Sequence, residues 1–529
     1  MSQAVSQWVQ AYESKQIDRR QFIKQLSILG VSAALIPSFL AGDALASTPK
    51  KGGHFRMGLS GGSTTDSLDP AVVNAQVDGS VNYAIRNNLV EVNAKGEAIP
   101  ELAESWEVSK DVSTWAFNLR RGVEFHNGKT MDSEDVVYSI RHHMGPDSKS
   151  GAKGLLGQIV DIKKDGPHRV IFQLKAGNAD FPFVLNDYHL VIVPAGTKGE
   201  DFEKGMGTGG YILEHWEPGV RATLKRNPNY FKSDRAHFES VEILSIPDVN
   251  SRTNALRTGQ IDYMNRVELK TVHLFKRTRN VKILRIKGAN HYTLPMQTSI
   301  APFDNPDLRL ALKYACDREQ LVEKFLRGYG VVANDHPISP ANRYYAADLP
   351  QRSYDPDKAA FHMKKAGLSG ETFTLHSSEE NGFMDLATLY AESARQAGVK
   401  IRVKKEPADG YWSNIWLKKP FCNSFWAPRP TADMMFSVAY SGDAKWNETQ
   451  FHNNRFDQLV SQARAELDET KRKEMYTECQ RILSDEGGAI IPFHKDYVEA
   501  CAKNVHQGAL SSVLETDGQK AIERWWFDS

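Results

Sequence analysis

Three consecutive runs decide the reading of this chain: Ile99-Pro100-Glu101-Leu102-Ala103-Glu104-Ser105-Trp106, then Thr114-Trp115-Ala116-Phe117-Asn118-Leu119, then Val123-Glu124-Phe125-His126-Asn127-Gly128. In the second run Trp115, Phe117 and Leu119 share one face, which is the period of a half-buried strand. Asn127-Gly128 ends the third run at a turn. Asp132 then stands as an N-cap with Asp135 three residues on, ahead of a helical stripe of Val136, Val137, Ile140 and Met144. Val170, Phe172 and Leu174 repeat the strand alternation, so 91–205 reads as mixed α+β.

Beyond this unit, Gly205-Met206-Gly207-Thr208-Gly209-Gly210 leads into Tyr211-Ile212-Leu213. A phosphate-cradling loop would open a helix directly, whereas these residues read as a strand, so the run is a turn where the chain changes lobes. From 305 onward helical stripes dominate. Pro306 begins one with Leu308, Ala311, Leu312 and Ala315, and Asp317 caps the next, with Leu321, Val322 and Phe325. Phe456, Leu459, Val460 and Ala463 form another, and Met475, Cys479, Ile482 and Leu483 form one more, stopped by Gly487-Gly488. The chain reads as α/β, with lobes connected by extended segments.

Toward the N-terminus, Asp18-Arg19-Arg20-Gln21-Phe22-Ile23-Lys24 precedes an apolar stretch from Leu26 to Leu40. As a helix that stretch is about 22 Å long, short for a ~30 Å hydrocarbon core. Ala44-Leu45-Ala46 supplies a small-x-small cleavage site. The paired arginines resemble a twin-arginine export signal, with an ordinary secretory signal as the alternative, and cleavage near Ala46 leaves a mature chain from Ser47.

The full chain has 529 residues, a net charge of +1, 25% charged and 41% hydrophobic residues, the profile of an ordinary globular protein of two or three lobes. No basic run is long enough to track phosphates, which excludes nucleic acid as the expected partner. Cys316, Cys422, Cys479 and Cys501 form no Cys-x-x-Cys pair, and Cys316 and Cys479 are read as buried thiols on helix faces. There is no His-Glu-x-x-His, and an enzyme is not expected.

The quoted runs resemble the signature of extracellular solute-binding protein family 5, the dipeptide, oligopeptide and nickel receptors of ABC importers. Ser67-Leu68-Asp69-Pro70, Gly207-Thr208-Gly209-Gly210-Tyr211, Arg226-Asn227-Pro228-Asn229-Tyr230-Phe231, Ala255 to Asp262, Pro302 to Pro306 and Asp317-Arg318-Glu319 extend the resemblance, as do Phe456-Asp457 and Ile491-Pro492-Phe493, over roughly 52–500. It implies a two-lobed periplasmic-binding-protein fold with a two-stranded hinge and an extra subdomain on lobe one. By that analogy lobe one is 47–90, 206–288 and 495–529, the subdomain is 91–205, and lobe two is 289–494. Ligand would be trapped by closure of the lobes and delivered to permease subunits of an importer. The resemblance also implies a monomer, no cofactor is expected, and the signal, which lacks a Leu-x-x-Cys lipobox, points to the periplasm; a metal-chelate receptor is a further alternative. A chemosensory receptor is the alternative partner for the same closed lobes.

Peptide-binding members of the family hold the ligand's amino terminus on an acid in a Trp-x-x-Asp phrase. Here the phrase is Trp426-Ala427-Pro428-Arg429. A guanidinium repels an ammonium and forks onto a carboxylate or phosphate, so Arg429 points to an anionic group on the ligand. An opine-like conjugate, a sugar acid or a peptide bound in another orientation would supply one. The alternative is that Arg429 pairs internally with Asp433 or Glu448; Asp433, four residues later, is also a candidate ligand-binding acid that restores the charge if the loop is shifted. Trp412, Trp426 and Trp446 are candidate cleft walls, with Asn447 and Glu448 reaching the ligand beside them. Ser63 and Thr64, with Thr65 and Asp66, are expected to face the cleft from lobe one, and His291 and Tyr292 to stand at the hinge crossing. His142-His143 is the only adjacent histidine pair, placed on a surface helix away from the cleft and given no metal.

Overall fold

Two long strands organise the molecule, Val281–Pro295 and Phe493–Ala502, paired antiparallel in a ten-stranded mixed sheet. The computed structural model describes Gln21 and residues 49–528, so the export-signal reading of 1–46 lies, Gln21 apart, outside the described residues. The register of the two strands breaks between Ile286 and Asn290. Gly288 sits at this break, where a Cβ would lie 2.2 Å from the Lys495 carbonyl oxygen, so only glycine lets the strands cross this closely.

On one side of the break, Phe493–Ala502 continues through Tyr263–Met264 to His54–Leu59, which runs parallel to Ser240–Ser245. Arg221–Arg226 and Tyr211–Glu217 finish that edge. Their apolar faces pack with Val77, Val81, Ile85, Trp525 and Phe238 into one core. On the other side, Val281–Pro295 pairs with Ser424–Trp426 and Ala489–Ile490. There Leu294, Phe303, Leu312, Leu375, Tyr390 and Phe493 lie in a second core.

The first two decisive runs supply two strands of an antiparallel sheet ordered Ala103–Val108, Thr114–Leu119, Arg169–Leu174, Ile159–Lys164, and the third is a turn beside it. Trp115, Phe117, Leu119, Val170, Phe172 and Leu174 are all buried in it, as their alternation requires. Asp132 caps Ser133–His142 by accepting from the Glu134 and Asp135 N–H groups, and the Asp135 carboxylate accepts the Asp132 N–H in return. Met144, read into this stripe, lies beyond the helix end.

The glycine run is a turn followed by the strand Tyr211–Glu217. Its glycines are steric: a Cβ on Gly207 would lie 2.1 Å from the Ile85 carbonyl oxygen, and one on Gly209 2.3 Å from the Ile85 carbonyl carbon. His126 docks on the same turn, its N–H donating to the Gly207 carbonyl.

Glu101 of the first run is the centre of a buried ion cluster. Lys232 Nζ donates to Glu91 at 2.8 Å, Glu101 at 2.8 Å and Glu523 at 2.9 Å, while Lys520 reaches Glu101 at 3.0 Å and Arg524 reaches Glu91 at 2.7 Å. The cluster ties segments far apart in sequence around one lysine. The three carboxylates lie close enough together to hold a metal ion, but the Lys232 ammonium already bonds all three.

All four cysteines are free and buried. Cys316 is not on a helix face: it lies between Pro306–Tyr314 and Arg318–Lys324, where the Asp317 cap separates the two helices. His142 pairs with Asp69 at 2.7 Å, and His143 is buried against Ser150 at 2.7 Å rather than on the surface. No helix among the described residues is long and apolar enough to cross a membrane.

Candidate functional site

Beside the strand crossing lies a cleft of about 1270 Å³. One wall comes from the Asn74-Ala75-Gln76 segment, the 266–270 loop, Phe493–Ala502 and the 514–519 turn. The other comes from Tyr292, the 324–327 and 381–389 segments, Phe425, Ala427 and Pro428, with Tyr188 at the margin. Strand period sets what the floor presents. Lys495, Tyr497 and Glu499 share one face of their strand by its period, and Asp496 and Val498 between them also border the cleft.

Of the residues expected from sequence, Tyr292 lines the cleft, its hydroxyl donating to the Asn381 carbonyl at 3.1 Å. Arg429 follows the lining residues Ala427 and Pro428 and donates to their carbonyls at 3.1 and 3.2 Å. Burial lowers its pKa, and the nearby charges of Asp187 and Tyr188 oppose this. Among the described residues no carboxylate lies within 4.0 Å of the Arg429 guanidinium.

The internal partners considered for Arg429 are engaged elsewhere. Asp433 binds Arg464 at 3.0 Å inside the helix Ala432–Ala439, and burial pushes its carboxyl up to about 6. Glu448 is buried and accepts from Thr293 Oγ1 at 2.7 Å, Trp416 Nε1 at 2.6 Å and Trp426 Nε1 at 3.0 Å. Burial raises its pKa, opposed by the Trp416 and Trp426 hydrogen bonds. Trp426 is thus a core residue rather than a cleft wall, because its indole N–H is spent on Glu448.

Other placements differ from the expectation as well. Asn447 turns inward and ties its own loop, donating to the Phe451 carbonyl at 2.8 Å and accepting from Thr449 at 3.1 Å. Trp412 is partly exposed outside the cleft lining, its Nε1 donating to Glu380 at 3.0 Å. Trp446 is likewise exposed, packed against Trp416 and Trp426. Ser63 and Thr64 form an exposed turn, closed by the Ser63 N–H on Asp66 at 2.9 Å, and neither lines the cleft. The chain reaches the cleft ten residues later, at Asn74 to Gln76. His291 lies on the long strand at the crossing but is buried behind the wall, edge-on to His494 with ring centres 5.7 Å apart.

Sequence reasoning missed the charged floor. Glu515 binds Arg266 at 2.9 Å, and Asp496 binds Arg285 at 2.5 Å. Lys495 has no carboxylate within 4.0 Å among the described residues, and burial lowers its pKa. Glu499 is 1% exposed, accepts the Thr516 N–H at 2.7 Å on Oε1, and leaves Oε2 without a partner. The usable signal was the alternation of Lys495, Tyr497 and Glu499 in a strand next to the Ile491-Pro492-Phe493 phrase.

Residues 97–448 match the model of bacterial extracellular solute-binding proteins, family 5 middle. The probable D,D-dipeptide-binding periplasmic protein DdpA of Escherichia coli K12 is 25% identical over 484 residues, 85% of this chain and 90% of that protein. HbpA2 from Haemophilus parasuis superposes with a TM-score of 0.81 at 20% identity, covering 90% of this chain and 100% of that one. The A. tumefaciens R10 protein AgaA, solved with agropinic acid, gives a TM-score of 0.73 at 24% identity over 90% of this chain and 99% of that one. The fold is therefore the two-lobed periplasmic-binding-protein fold, and the chain belongs to the family 5 bacterial extracellular solute-binding proteins.

Proposed function

We propose that this chain is the periplasmic receptor of an ABC importer, binding a peptide or peptide-like small solute in the cleft and delivering it to the membrane permease as a monomer, without chemical change. Lobe one is then 47–90, 206–288 and 495–529, lobe two is 289–494, and 91–205 is an extra subdomain, with the mature chain exported by the twin-arginine-type signal. The observation that carries the reading is the cleft itself. Its volume of about 1270 Å³ suits a small solute, and Lys495 on its floor and Arg429 at its edge lack acidic partners within 4.0 Å among the described residues. A ligand with a carboxylate complements both, as a free peptide or an opine-like conjugate does. A ligand touching both walls favours the closed form by its differential affinity, and closure is what a permease would read.

Thermal shift of the mature protein, stripped of ligand by unfolding and refolding, tests this. Free dipeptides, oligopeptides, opine-type conjugates and sugar acids form the panel. A ligand at a hundredfold over its Kd stabilises by roughly 2.7 kcal/mol. A shift with peptides or carboxylate-bearing conjugates supports the reading, and recovery of the ligand chemically intact supports a receptor over an enzyme. No shift across the panel contradicts it.

A further inference from the structure

We propose that Glu499 is the carboxylate that receives the amino group of the ligand, on the floor of the cleft rather than at position 429. The inference rests on the peptide-like ligand read above and adds where its amine binds.

Glu499 carries an unmet demand. It is almost wholly buried, yet Oε2 accepts no hydrogen bond, and no cation lies within 4.0 Å of either oxygen among the described residues. The charged groups around it are acids that already have their own cations: Glu515 holds Arg266 at 2.9 Å and Asp517 holds Arg524 at 3.1 Å. The Tyr263 phenol lies close enough to hydrogen-bond its carboxyl, yet the Tyr263 hydroxyl is directed to Thr516 at 3.1 Å. Gln519, another lining residue, buries a side-chain oxygen with no donor. Buried acceptors without donors are costly, so a cleft that holds two of them calls for a donor-rich occupant. An ammonium brings three N–H groups and the positive charge that lets Glu499 ionise.

The backbone fixes these acceptors in place. Thr516, Asp517, Gly518 and Gln519 all have left-handed φ values, 58°, 55°, 68° and 62°. Such a run is disfavoured for L-residues, and it is held here by the Thr516 N–H on Glu499 at 2.7 Å and the Ser511 N–H on Asp517 at 2.7 Å. The same strand carries Lys495 four residues before Glu499, about 13 Å away along the backbone and on the same face. A zwitterion can therefore set its carboxylate toward Lys495 and its amine toward Glu499.

Burial pushes the Glu499 carboxyl up to about 8, so at neutral pH it is protonated in the empty cleft. Binding an ammonium there transfers that proton to the buffer and leaves a carboxylate–ammonium pair. Calorimetric titration reads this directly. Dipeptides that stabilise the protein are titrated, each beside its N-acetyl form, into the ligand-stripped mature protein and into Glu499→Gln at pH 7, in phosphate and in Tris.

Free dipeptides should release about 0.9 proton on binding to the unsubstituted protein. N-acetylation and Glu499→Gln should each weaken binding by about 100-fold, and the variant should release almost none. Equal binding of free and acetylated forms, or no proton release from the unsubstituted protein, overturns the role of Glu499 while leaving a peptide receptor standing. The acetylation comparison and the proton count hold even if Glu499→Gln fails to fold. If neither form of any dipeptide binds, the peptide-like reading fails first and this inference with it.

Discussion

Arg464 holds Asp433 at 3.0 Å, so the acid four residues beyond Arg429 is neutralised within the protein. Asp433 is buried and its carboxyl is pushed up to about 6, which means the pair offsets a large desolvation cost. Arg464→Ala leaves that acid uncompensated. The arginine is partly exposed, which discounts the loss to about 2 kcal/mol. Urea unfolding at pH 7.5 measures it. Because the folded pKa is raised above the unfolded value, the charged acid is the costly form, and the loss should shrink as pH falls toward 5.

Arg429 is expected to behave differently. Among the described residues its guanidinium bonds only the Ala427 and Pro428 carbonyls, so Arg429→Ala should leave the stability of the empty protein within about 0.5 kcal/mol. For a carboxylate-bearing ligand that reaches it, affinity should fall by about 30-fold, consistent with loss of a charge-assisted hydrogen bond. An unchanged Kd, measured by calorimetry, would remove Arg429 from the site.

Lys232 is the shared cation of three buried carboxylates, those of Glu91, Glu101 and Glu523. Lys232→Met keeps the stem and deletes the charge. Lys520 and Arg524 remain to soften the loss, and a destabilisation of about 3–5 kcal/mol is expected in a urea titration.

Glu499 predicts an opposite sign. Its folded pKa of about 8 lies above the unfolded carboxylate value, so the folded state holds a proton that the unfolded state has lost. Its contribution to stability therefore falls as pH rises from about 4.5 to 8, by an amount on the order of 4 kcal/mol. Glu499→Gln retains an acceptor for the Thr516 N–H and removes the titration. The empty variant should be more stable than the unsubstituted protein at pH 8.5 and indistinguishable near pH 5. Melting temperatures across that range would show it, and a variant less stable at pH 8.5 would contradict the assignment.

These contrasts also mark what the sequence could disclose. Strands and caps were legible because their causes are local. Trp115, Phe117 and Leu119 lie two apart, and Asp132 meets the Glu134 and Asp135 N–H groups within one turn. The glycine turn was legible as a turn, but its packing against Ile85 depends on a helix more than a hundred residues earlier. Side-chain direction at the site was less accessible. Trp426 and Asn447 fall in the expected region, yet each turns inward because Glu448 and the Ser441 to Phe451 loop claim their polar atoms. The floor was hidden for the same reason, since Gln76 meets Thr516 across 440 residues of chain.

Native mass spectrometry of the protein, purified from the periplasm without unfolding, is the test of a small peptide-like solute in this cleft. The prediction is one protein species carrying a single added mass of a few hundred daltons, released on unfolding and bearing both an amine and a carboxylate. A protein that carries only a metal ion, or a bound species lacking both groups, would contradict it.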